Sequence, residues 1–315
     1  MRQSYRMFLM TVEEMSIGRA ARRAFVTQQC VSDHIRRLEE EYGVQLFERK
    51  PALRLTGAGE EMVRALRNMD ILEKNMEATL REFSDGRRGA FAVGISTSRA
   101  QILLPPVLKR YGENFPDAEI SFYVNDTVVL EEKLLDGKID LFLGVNTQMR
   151  PEFQVMPLAV DKMSLIISRS LFQKFFGSRQ LEEFKAGVEL SAFSDVPFVL
   201  YYETGALNLV IRQHLLNHGI HLKNTRYHIS DCDTQINLCI SGLCAAIIPE
   251  MLDRHIRDHN AKCGSGEEIY VFPIRDFSYP LRVDLVCHRD VRLPFYIRAF
   301  CEIMKEEAGR LAEGR

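Results

Sequence analysis

The segment Ser16–Leu55 constrains the fold more than any other part of the sequence, because it has the pattern of two short helices, a tight turn and a wing. Ser16 and Thr27 stand where N-cap side chains begin helices, and Gly43 stands where a helix ends. In the second helix, apolar residues recur on one face: Val31, Ile35, Leu38 and Tyr42. This segment therefore predicts a helix-turn-helix.

The opposite face of the second helix carries amide, hydroxyl and charged side chains: Gln28, Gln29, Ser32, Asp33, Arg36 and Arg37. Amides pair with adenine, and guanidinium groups pair with guanine or phosphate, so this face suits the major groove of DNA. An ordinary amphipathic helix pair with a solvated polar face has the same periodicity. Periodicity alone does not separate these two interpretations.

The order of residues across 20–59 resembles the N-terminal winged helix-turn-helix of LysR-type transcriptional regulators. The residues that carry this resemblance are Ala20-Ala21, Val26-Thr27-Gln28, Ser32, Ile35, Leu38-Glu39, Gly43, Leu46-Phe47, Arg49, Leu55-Thr56 and Gly59. One departure is Gln29, which stands where the family commonly has proline. The resemblance implies a sequence-specific regulator that binds operator DNA.

Candidate DNA-contacting residues follow from this arrangement. The exposed side of the second helix would read bases, and basic residues of the wing would meet phosphates. The candidates are Thr27, Gln28, Gln29, Ser32, Arg36, Arg37, Arg49, Lys50 and Arg54. Residues 1–55 hold ten Lys or Arg and seven acidic residues, although the whole chain has a net charge of −2. A positive N-terminal module beside an acidic body is compatible with DNA binding.

A long helix from Thr56 to about residue 83 follows, and its apolar residues alternate at spacings of four and three. These seam residues are Met62, Leu66, Met69, Met76, Leu80 and Phe83, with Glu73 in the missing position. A heptad seam predicts that two chains pair along this helix. The alternative is a single helix packed on its own domain. The pattern divides the chain into a DNA-binding domain (1–58), a linker helix with a hinge (59–88) and an effector domain (89–315).

The effector domain alternates strands and helices, which predicts parallel sheets with right-handed crossovers. It resembles the two-lobed α/β effector domain of the same family, which in turn resembles periplasmic binding proteins. The motifs that carry this resemblance are residues 134–141 and 241–249. We expect lobe I at about 89–160 and 268–315 and lobe II at about 161–267. The fold class is therefore an N-terminal winged helix-turn-helix, a linker helix and a two-lobed α/β domain.

A ligand cleft is expected between the lobes, at the carboxyl ends of their strands. Segments 96–99, 125–127, 144–146, 202–204 and 231–234 would face it. The candidate effector-binding residues are Ser96, Thr97, Ser98, Arg99, Asn125, Thr127, Gly144, Asn146, Tyr202, Thr204, Asp233 and Thr234. Converging helix N-termini, hydroxyls and Arg99 suit a carboxylate or another small anion. The alternative is that these Ser, Thr and Asp residues are only helix caps.

Other functional classes find little support in the sequence. Nucleophile, phosphate-loop, dinucleotide and HExxH motifs do not occur, so we expect neither an enzyme nor a cofactor. His255 and His259 are spaced for a metal, but without a third ligand they favour a polar helix face and no metal site. The start resembles no signal peptide, and no stretch suits a membrane span, so we expect a cytoplasmic protein.

The scattered cysteines and the domain order leave two alternatives. Cys232, Cys239 and Cys244 resemble the region in which some members of the family sense oxidants, although thiols in apolar segments usually serve packing. A small-molecule binding protein without regulatory DNA binding is the other alternative. The expected partners are double-stranded operator DNA, a small-molecule effector and further copies of the chain, as a homodimer or homotetramer.

Overall fold

The structure is a computed structural model that describes residues 1–85, 89–202, 205–277, 279 and 281–313. This described chain forms two compact units. One contains the N-terminal helices, and the other contains two five-stranded sheets. Within the described ranges, no helix is long and apolar enough to cross a lipid bilayer.

The first unit is a winged helix-turn-helix followed by a long helix. It comprises residues 1–84 and two short segments, Leu135–Gly137 and Asp290–Leu293. Its elements are α1 (Gln3–Glu14), α2 (Ile17–Arg23), α3 (Gln28–Tyr42), β1 (Phe47–Glu48), β2 (Arg54–Leu55) and α4 (Gly57–Asp85). Strands β1 and β2 pair antiparallel and form the wing. Residues 1–58 are called the head below.

The predicted caps of the head are confirmed. The Ser16 hydroxyl accepts a hydrogen bond from the Arg19 amide at 3.3 Å, and the Thr27 hydroxyl accepts one from the Cys30 amide at 3.2 Å. Each bond satisfies an amide that lacks a partner inside its helix. At the other end of α3, Gly43 has a φ of +68°, a left-handed conformation that ends the helix at little steric cost.

One apolar core holds α1, α2, α3 and the start of α4 together. Its buried members are Tyr5, Met7, Phe8, Ala20, Ala21, Val31, Ile35, Leu38, Leu46, Phe47, Val63 and Leu66. The sequence predicted that Tyr42 belongs to the buried apolar face of α3 with Val31, Ile35 and Leu38. This prediction is wrong for Tyr42. Tyr42 lies at the rim, where its hydroxyl is 2.8 Å from that of Tyr5.

The predicted seam on α4 needs correction in its first part. Leu66 is only 1% exposed and belongs to the core of the first unit, and Met62 packs against that core. Leu66 is therefore not available to a partner chain, and half-buried Met62 spends much of its surface on its own domain. The reason is that the first turns of α4 complete the helix-turn-helix core, which uses the same helical period as a seam.

Farther along α4, apolar side chains are exposed: Met69, Leu72, Met76 and Leu80. Leu72 was not among the predicted seam residues, and the side chain of Phe83 lies outside the described residues. Glu73 does not interrupt this stripe as an unpaired acid, because its carboxylate accepts hydrogen bonds from the α-amino group of Met1 at 2.8 and 2.9 Å. This contact lowers the pKa of the Glu73 carboxyl.

The second unit alternates strands and helices. In its first half these are β3 (Ala90–Ile95), α5 (Thr97–Asn114), β4 (Glu119–Val124), α6 (Thr127–Leu135), β5 (Leu141–Val145), β6 (Phe153–Asp161), β7 (Met163–Ser168), α7 (Arg169–Phe175) and α8 (Ser178–Lys185). The remainder are β8 (Phe198–Leu200), α9 (Ala206–Asn217), β9 (Thr225–His228), α10 (Cys232–Ile240), β10 (Ala245–Pro249), α11 (Asp253–Asn260), β11 (Ile269–Pro273), β12 (Leu281–His288) and α12 (Phe295–Glu313). Short 3-10 helices cover Leu190–Phe193 and Glu250–Leu252.

Two sheets define the two lobes. The strand order is β4-β3-β5-β12-β6 in lobe I and β11-β7-β10-β8-β9 in lobe II. The predicted parallel pairs occur between β3 and β4, β3 and β5, β8 and β9, and β8 and β10. Strand β12 runs antiparallel to both β5 and β6.

The lobe boundary predicted at residue 268 is wrong. Strand β11 pairs antiparallel with β7, from Ile269 opposite Ser168 to Pro273 opposite Ser164, so it belongs to lobe II. The second segment of lobe I therefore begins with β12. Strand β6 was not predicted from the sequence. This strand contains Pro157, which has no amide to donate and is tolerated because β6 lies at the sheet edge.

Candidate functional site

A cavity of about 180 Å³ lies between the two lobes at the carboxyl ends of their parallel strands. Lobe I contributes the start of α5 after β3, the start of α6 after β4, and the end of β5. Lobe II contributes the residues after β8 and the start of α10. The cavity is lined by Ser96, Thr97, Ser98, Arg99, Asp126, Thr127, Val145, Tyr201, Tyr202, Gly205, Ala206, Leu207, Ser230, Asp231, Cys232 and Leu252. Its volume suits a small metabolite.

Arg99 is the only arginine in this lining, and it is 3% exposed. Its Nε and one terminal nitrogen have no hydrogen-bond partner among the described residues. The nearest carboxylate oxygen in an ion pair with it, Oδ2 of Asp161, is 3.8 Å from that nitrogen, beyond hydrogen-bonding distance. Burial lowers the pKa of Arg99, and the Asp161 carboxylate opposes the shift. The cavity wall thus contains a desolvated cation with unused donors.

Two further buried hydroxyl groups in the wall have no nitrogen or oxygen partner among the described residues. The Tyr201 hydroxyl is buried next to the Cys232 thiol and has no oxygen or nitrogen partner among the described residues. Burial raises the pKa of Tyr201, so the phenol stays protonated and can donate. The Ser96 hydroxyl is likewise buried without a partner in the described part of the chain. Arg99 and Ser96 therefore present unused hydrogen-bonding groups to one small cavity, and Tyr201, which contacts only the weakly bonding Cys232 thiol, adds a hydroxyl to the same wall.

Six of the predicted effector-binding residues line the cavity: Ser96, Thr97, Ser98, Arg99, Thr127 and Tyr202. Five others do not line it, and Thr204 lies outside the described residues. Asn125 is exposed, and Gly144 lies inside the sheet opposite Asp284. The Asn146 side chain instead accepts a hydrogen bond from the Arg282 amide at 2.9 Å.

The predicted residues on α10 are used locally. The Asp231 carboxylate caps the helix by accepting from the Thr234 amide at 2.8 Å and the Thr234 hydroxyl at 2.6 Å. Asp233 lies 3.0 Å from Nδ1 of His255. The cap of α10 is therefore Asp231, Thr234 only donates to that cap, and Asp233 pairs with a histidine instead of lining the cleft.

Sequence reasoning missed several residues of the lining: Tyr201, Gly205, Ala206, Leu207, Ser230 and Leu252. Tyr201 directly follows β8. Because ligands bind at the carboxyl ends of strands, this position could have been predicted from the sequence. Leu252 ends a short 3-10 helix, and no local pattern marks that position.

The predicted DNA-contacting residues of α3 lie on its outer side. Gln28, Gln29, Arg36 and Arg37 are exposed, and Ser32 is half-buried. The Arg36 guanidinium lies 3.2 Å from Asp33 and 3.7 Å from Glu40. Exposed pairs of this kind contribute little, so Arg36 can exchange them for another partner.

The basic residues of the wing are also exposed: Arg49, Lys50 and Arg54. A terminal nitrogen of Arg49 lies 3.4 Å from the Glu39 carboxylate. Oε1 of the same carboxylate accepts a hydrogen bond from the Leu46 amide at 2.9 Å. Glu39 thus ties the wing to α3 within the head.

The histidines at 255 and 259 engage different partners. His255 pairs with Asp233, whereas Nε2 of His259 lies 3.1 Å from the Glu267 carbonyl oxygen. Across the ranges that the structure describes, no cluster of three or more His, Cys, Asp or Glu side chains suits a metal ion.

The three cysteines considered as an oxidant sensor are buried reduced thiols. Burial raises the pKa of Cys232 to about 12 and that of Cys244 to about 11. It also raises the pKa of Cys239. Because the thiolate is the nucleophile, raised pKa values make these residues poor targets for oxidants at neutral pH.

We expect thiol labelling of the native chain to distinguish buried from accessible cysteines. Half-buried Cys30 and Cys263 should react first with Ellman's reagent. Cys232, Cys239 and Cys244 should react at least about a hundredfold more slowly, because little thiolate is present at pH 7. Peptide mapping after timed quenching measures this order. Early modification of Cys239 or Cys244 would support the oxidant-sensing alternative.

A winged helix-turn-helix followed by a two-lobed α/β domain is the domain order of a class of bacterial regulators. The family model "LysR substrate binding domain" matches residues 84–309, and "Bacterial regulatory helix-turn-helix protein, lysR family" matches residues 3–60. The chain belongs to the LysR family. This confirms the family resemblance and the fold class expected from the sequence.

Relatives with curated names are transcriptional regulators. YtlI of Bacillus subtilis (strain 168) is 27% identical over 213 residues, which cover 68% of this chain and 66% of YtlI. AlsR of the same organism is 34% identical over 136 residues, covering 42% of this chain and 45% of AlsR. The alignments thus span less than two thirds of the length of these two relatives.

Solved structures share the fold over nearly the whole chain. CbnR in complex with its target DNA superposes with a TM-score of 0.59 at 19% identity, covering 98% of this chain and 100% of that one. A full-length OxyR variant from Pseudomonas aeruginosa superposes with a TM-score of 0.65 at 20% identity, covering 98% and 94%. At these identities the comparison establishes the fold alone.

Proposed function

We propose that this chain is a transcriptional regulator that binds operator DNA and responds to a small carboxylate or similar anion in the cleft between its lobes. The observation that carries the proposal is the buried guanidinium of Arg99, two of whose nitrogens have no hydrogen-bond partner in the part of the chain that the structure describes. A desolvated cation with unused donors is costly unless a ligand completes it. Membership in a family of helix-turn-helix regulators supports the DNA-binding part.

The chemistry of the cavity favours an anion over a neutral ligand. A carboxylate can accept two parallel hydrogen bonds from a guanidinium group. The Tyr201 phenol and the Ser96 hydroxyl can supply further donors. The start of α5 lies in the same wall, and its positive dipole end adds to the attraction for negative charge. Asp126 and Asp231 also line the cavity and disfavour a ligand with many negative charges.

Ligand binding would act through the relative position of the lobes. Asp161, at the end of β6, accepts a hydrogen bond from the Met251 amide of lobe II at 3.0 Å and faces Arg99 of lobe I. A bound carboxylate would take up the free donors of Arg99 beside this inter-lobe contact. The proposed response is a closure of the two lobes around the ligand. The ligand favours this closed form only if it binds the closed form more tightly than the open one.

Two copies of the chain are proposed to pair through the exposed stripe on α4, and further pairing of effector domains would give a tetramer. Such a dimer presents two copies of α3 to successive half-sites of an operator.

We further propose that the protein acts in the cytoplasm. The cavity and the head together suit a binding protein and not an enzyme.

A duplex selected by the protein from a randomised DNA library tests the operator proposal. Gln28→Ala or Arg36→Ala should weaken binding to it by about 1–3 kcal/mol and relax one base position. Arg54→Ala should weaken all duplexes alike and reduce the slope of log K against log salt by about one unit. Fluorescence anisotropy across a salt series measures both effects.

The exposed Lys223, which pairs with Asp195 in the effector domain, provides the control: Lys223→Ala should leave the affinity and the slope unchanged. Unchanged affinity and base preference in both Gln28→Ala and Arg36→Ala would show that α3 does not read the operator. Failure of the wild-type protein to enrich any sequence would contradict the proposed function.

A further inference from the structure

Phe25 is the most exposed large hydrophobic side chain among the described residues, with 95% of its surface accessible. It lies in the turn between α2 and α3. Its φ of +55° places it in the left-handed region. Two backbone hydrogen bonds fix this turn, from the Phe25 amide to the Arg22 carbonyl at 3.2 Å and from the Val26 amide to the Ala21 carbonyl at 3.0 Å. The position is therefore a defined part of the head.

Folding gives no reason for phenylalanine at this position. A bulky L-residue is unfavourable in the left-handed region, which glycine and asparagine tolerate much better. An exposed ring also gains no burial against the protein. A residue that is both strained and exposed points to a functional use outside the folded chain.

The residues near Phe25 in the sequence indicate which kind of partner its ring would contact. Thr27, the N-cap of α3, is two residues away, and the Gln28 side chain lies close to Gly18 of α2. Arg22, on the other side of the turn, is exposed. The ring thus lies next to the end of α3 that would enter the groove, with exposed polar and basic residues close to it in the sequence. An apolar ring there matches the one apolar group of the major groove, the 5-methyl group of thymine.

We propose that Phe25 is a specificity-determining residue of the head, whose ring packs on a thymine 5-methyl group at the edge of the operator major groove. The inference rests on the operator binding proposed above. It assigns recognition of one thymine to a residue of the turn, in addition to the polar residues of α3. The contact is apolar, so it contributes to base preference and not to the salt dependence of binding.

Thymine-to-uracil replacement tests the contact directly, because uracil lacks only the methyl group. Each thymine of the selected duplex is replaced in turn, and binding of the wild type and of Phe25→Asn is measured by anisotropy. At one position per half-site, replacing thymine by uracil should lower the affinity of the wild type about fourfold. This factor corresponds to the transfer free energy of one buried methyl group. Phe25→Asn should bind the thymine duplex more weakly and be indifferent to uracil at that position.

In the full chain, Phe25→Asn should also raise the temperature at which the head unfolds by about 2–4 °C, because asparagine relieves the left-handed strain. A purely structural role predicts the opposite sign. Phe25→Leu, which keeps an apolar side chain, should retain part of the sensitivity to uracil. The slope of log K against log salt should stay the same in both variants.

Met15→Asn is the matched control, because Met15 is another exposed apolar residue of the head with a positive φ, +42°. It should gain thermal stability and keep the full response to uracil. The proposal is overturned if Phe25→Asn binds with wild-type affinity, or if it shows the same uracil profile as the wild type. If the wild type selects no duplex, the operator proposal itself fails, so the two failures are distinguishable.

Discussion

Replacing Arg99 with methionine is expected to abolish the response to carboxylate ligands and to leave operator binding without ligand unchanged. Methionine has a similar length but no donors, so a bound carboxylate would lose its charged hydrogen bonds. Each such bond contributes about 1.5–3 kcal/mol, and the affinity should fall by at least about a hundredfold. The measurement is the ligand-induced rise in Tm of the full chain, because a ligand that binds the native state stabilises it.

The screen for this experiment pairs each small carboxylic acid with its neutral amide. Wild-type protein should respond to acids and not to the matching amides. Arg99→Lys keeps the charge but loses the two-pronged geometry, so its response should be intermediate. Arg169→Met is the control, since Arg169 pairs with Glu268 at 3.2 Å and does not line the cavity. A full response of Arg99→Met at wild-type ligand concentrations would exclude Arg99 as the anchor.

Charged residues placed on the exposed stripe of α4 are expected to prevent dimer formation and to weaken operator binding. Met76→Lys combined with Leu80→Lys should separate the α4 pair, because like charges would face each other across an apolar contact. Operator affinity should then fall by at least about a hundredfold, since each head would bind its half-site without the other. Analytical ultracentrifugation gives the mass, and anisotropy on the selected duplex gives the affinity.

A matched pair of substitutions on α9 provides the comparison. Leu209 and Leu216 are 66% and 72% exposed, so Leu209→Lys with Leu216→Lys makes the same chemical change on another exposed helix. This variant should keep at least the α4 dimer and bind one operator duplex per dimer. If the α4 variant retained the wild-type mass and operator affinity, the stripe would not be the dimer contact. Leu66 is unsuitable for this experiment, because its charge would disrupt the head core.

Local chemistry made the head predictable and left the use of α4 ambiguous. Caps at Ser16 and Thr27 and the stop at Gly43 depend on neighbours within four residues, so the sequence contains the whole signal. The seam pattern on α4 records only that one side of the helix is apolar. It does not say whether Leu66 faces the same chain or another one, because both packings use the same helical period.

The position of the cleft was predictable from the sequence, but the hydrogen-bond partners of the side chains around it were not. Strand–helix alternation places the carboxyl ends of β3 and β4 in lobe I and of β8 in lobe II on the cleft, which brought Ser96–Arg99 and Thr127 to the cavity as expected. The pairing of Asn146 with Arg282 joins residues far apart in the sequence, and it removed Asn146 from the site. The isolation of Arg99 depends equally on distant neighbours, which no local pattern contains.

The position of β12 sets an order in which the effector domain can fold during synthesis. This strand fills the gap between β5 and β6, yet it follows the whole of lobe II in the sequence. Lobe II can close its sheet as soon as β11 has left the ribosome. Until β12 emerges, lobe I keeps two unpaired strand edges facing an empty slot, and such edges readily capture other strands. The open edges therefore persist from the synthesis of β6 at Phe153–Asp161 until β12 at Leu281–His288 has emerged, so lobe I is exposed to wrong strand pairing for as long as lobe II is being made.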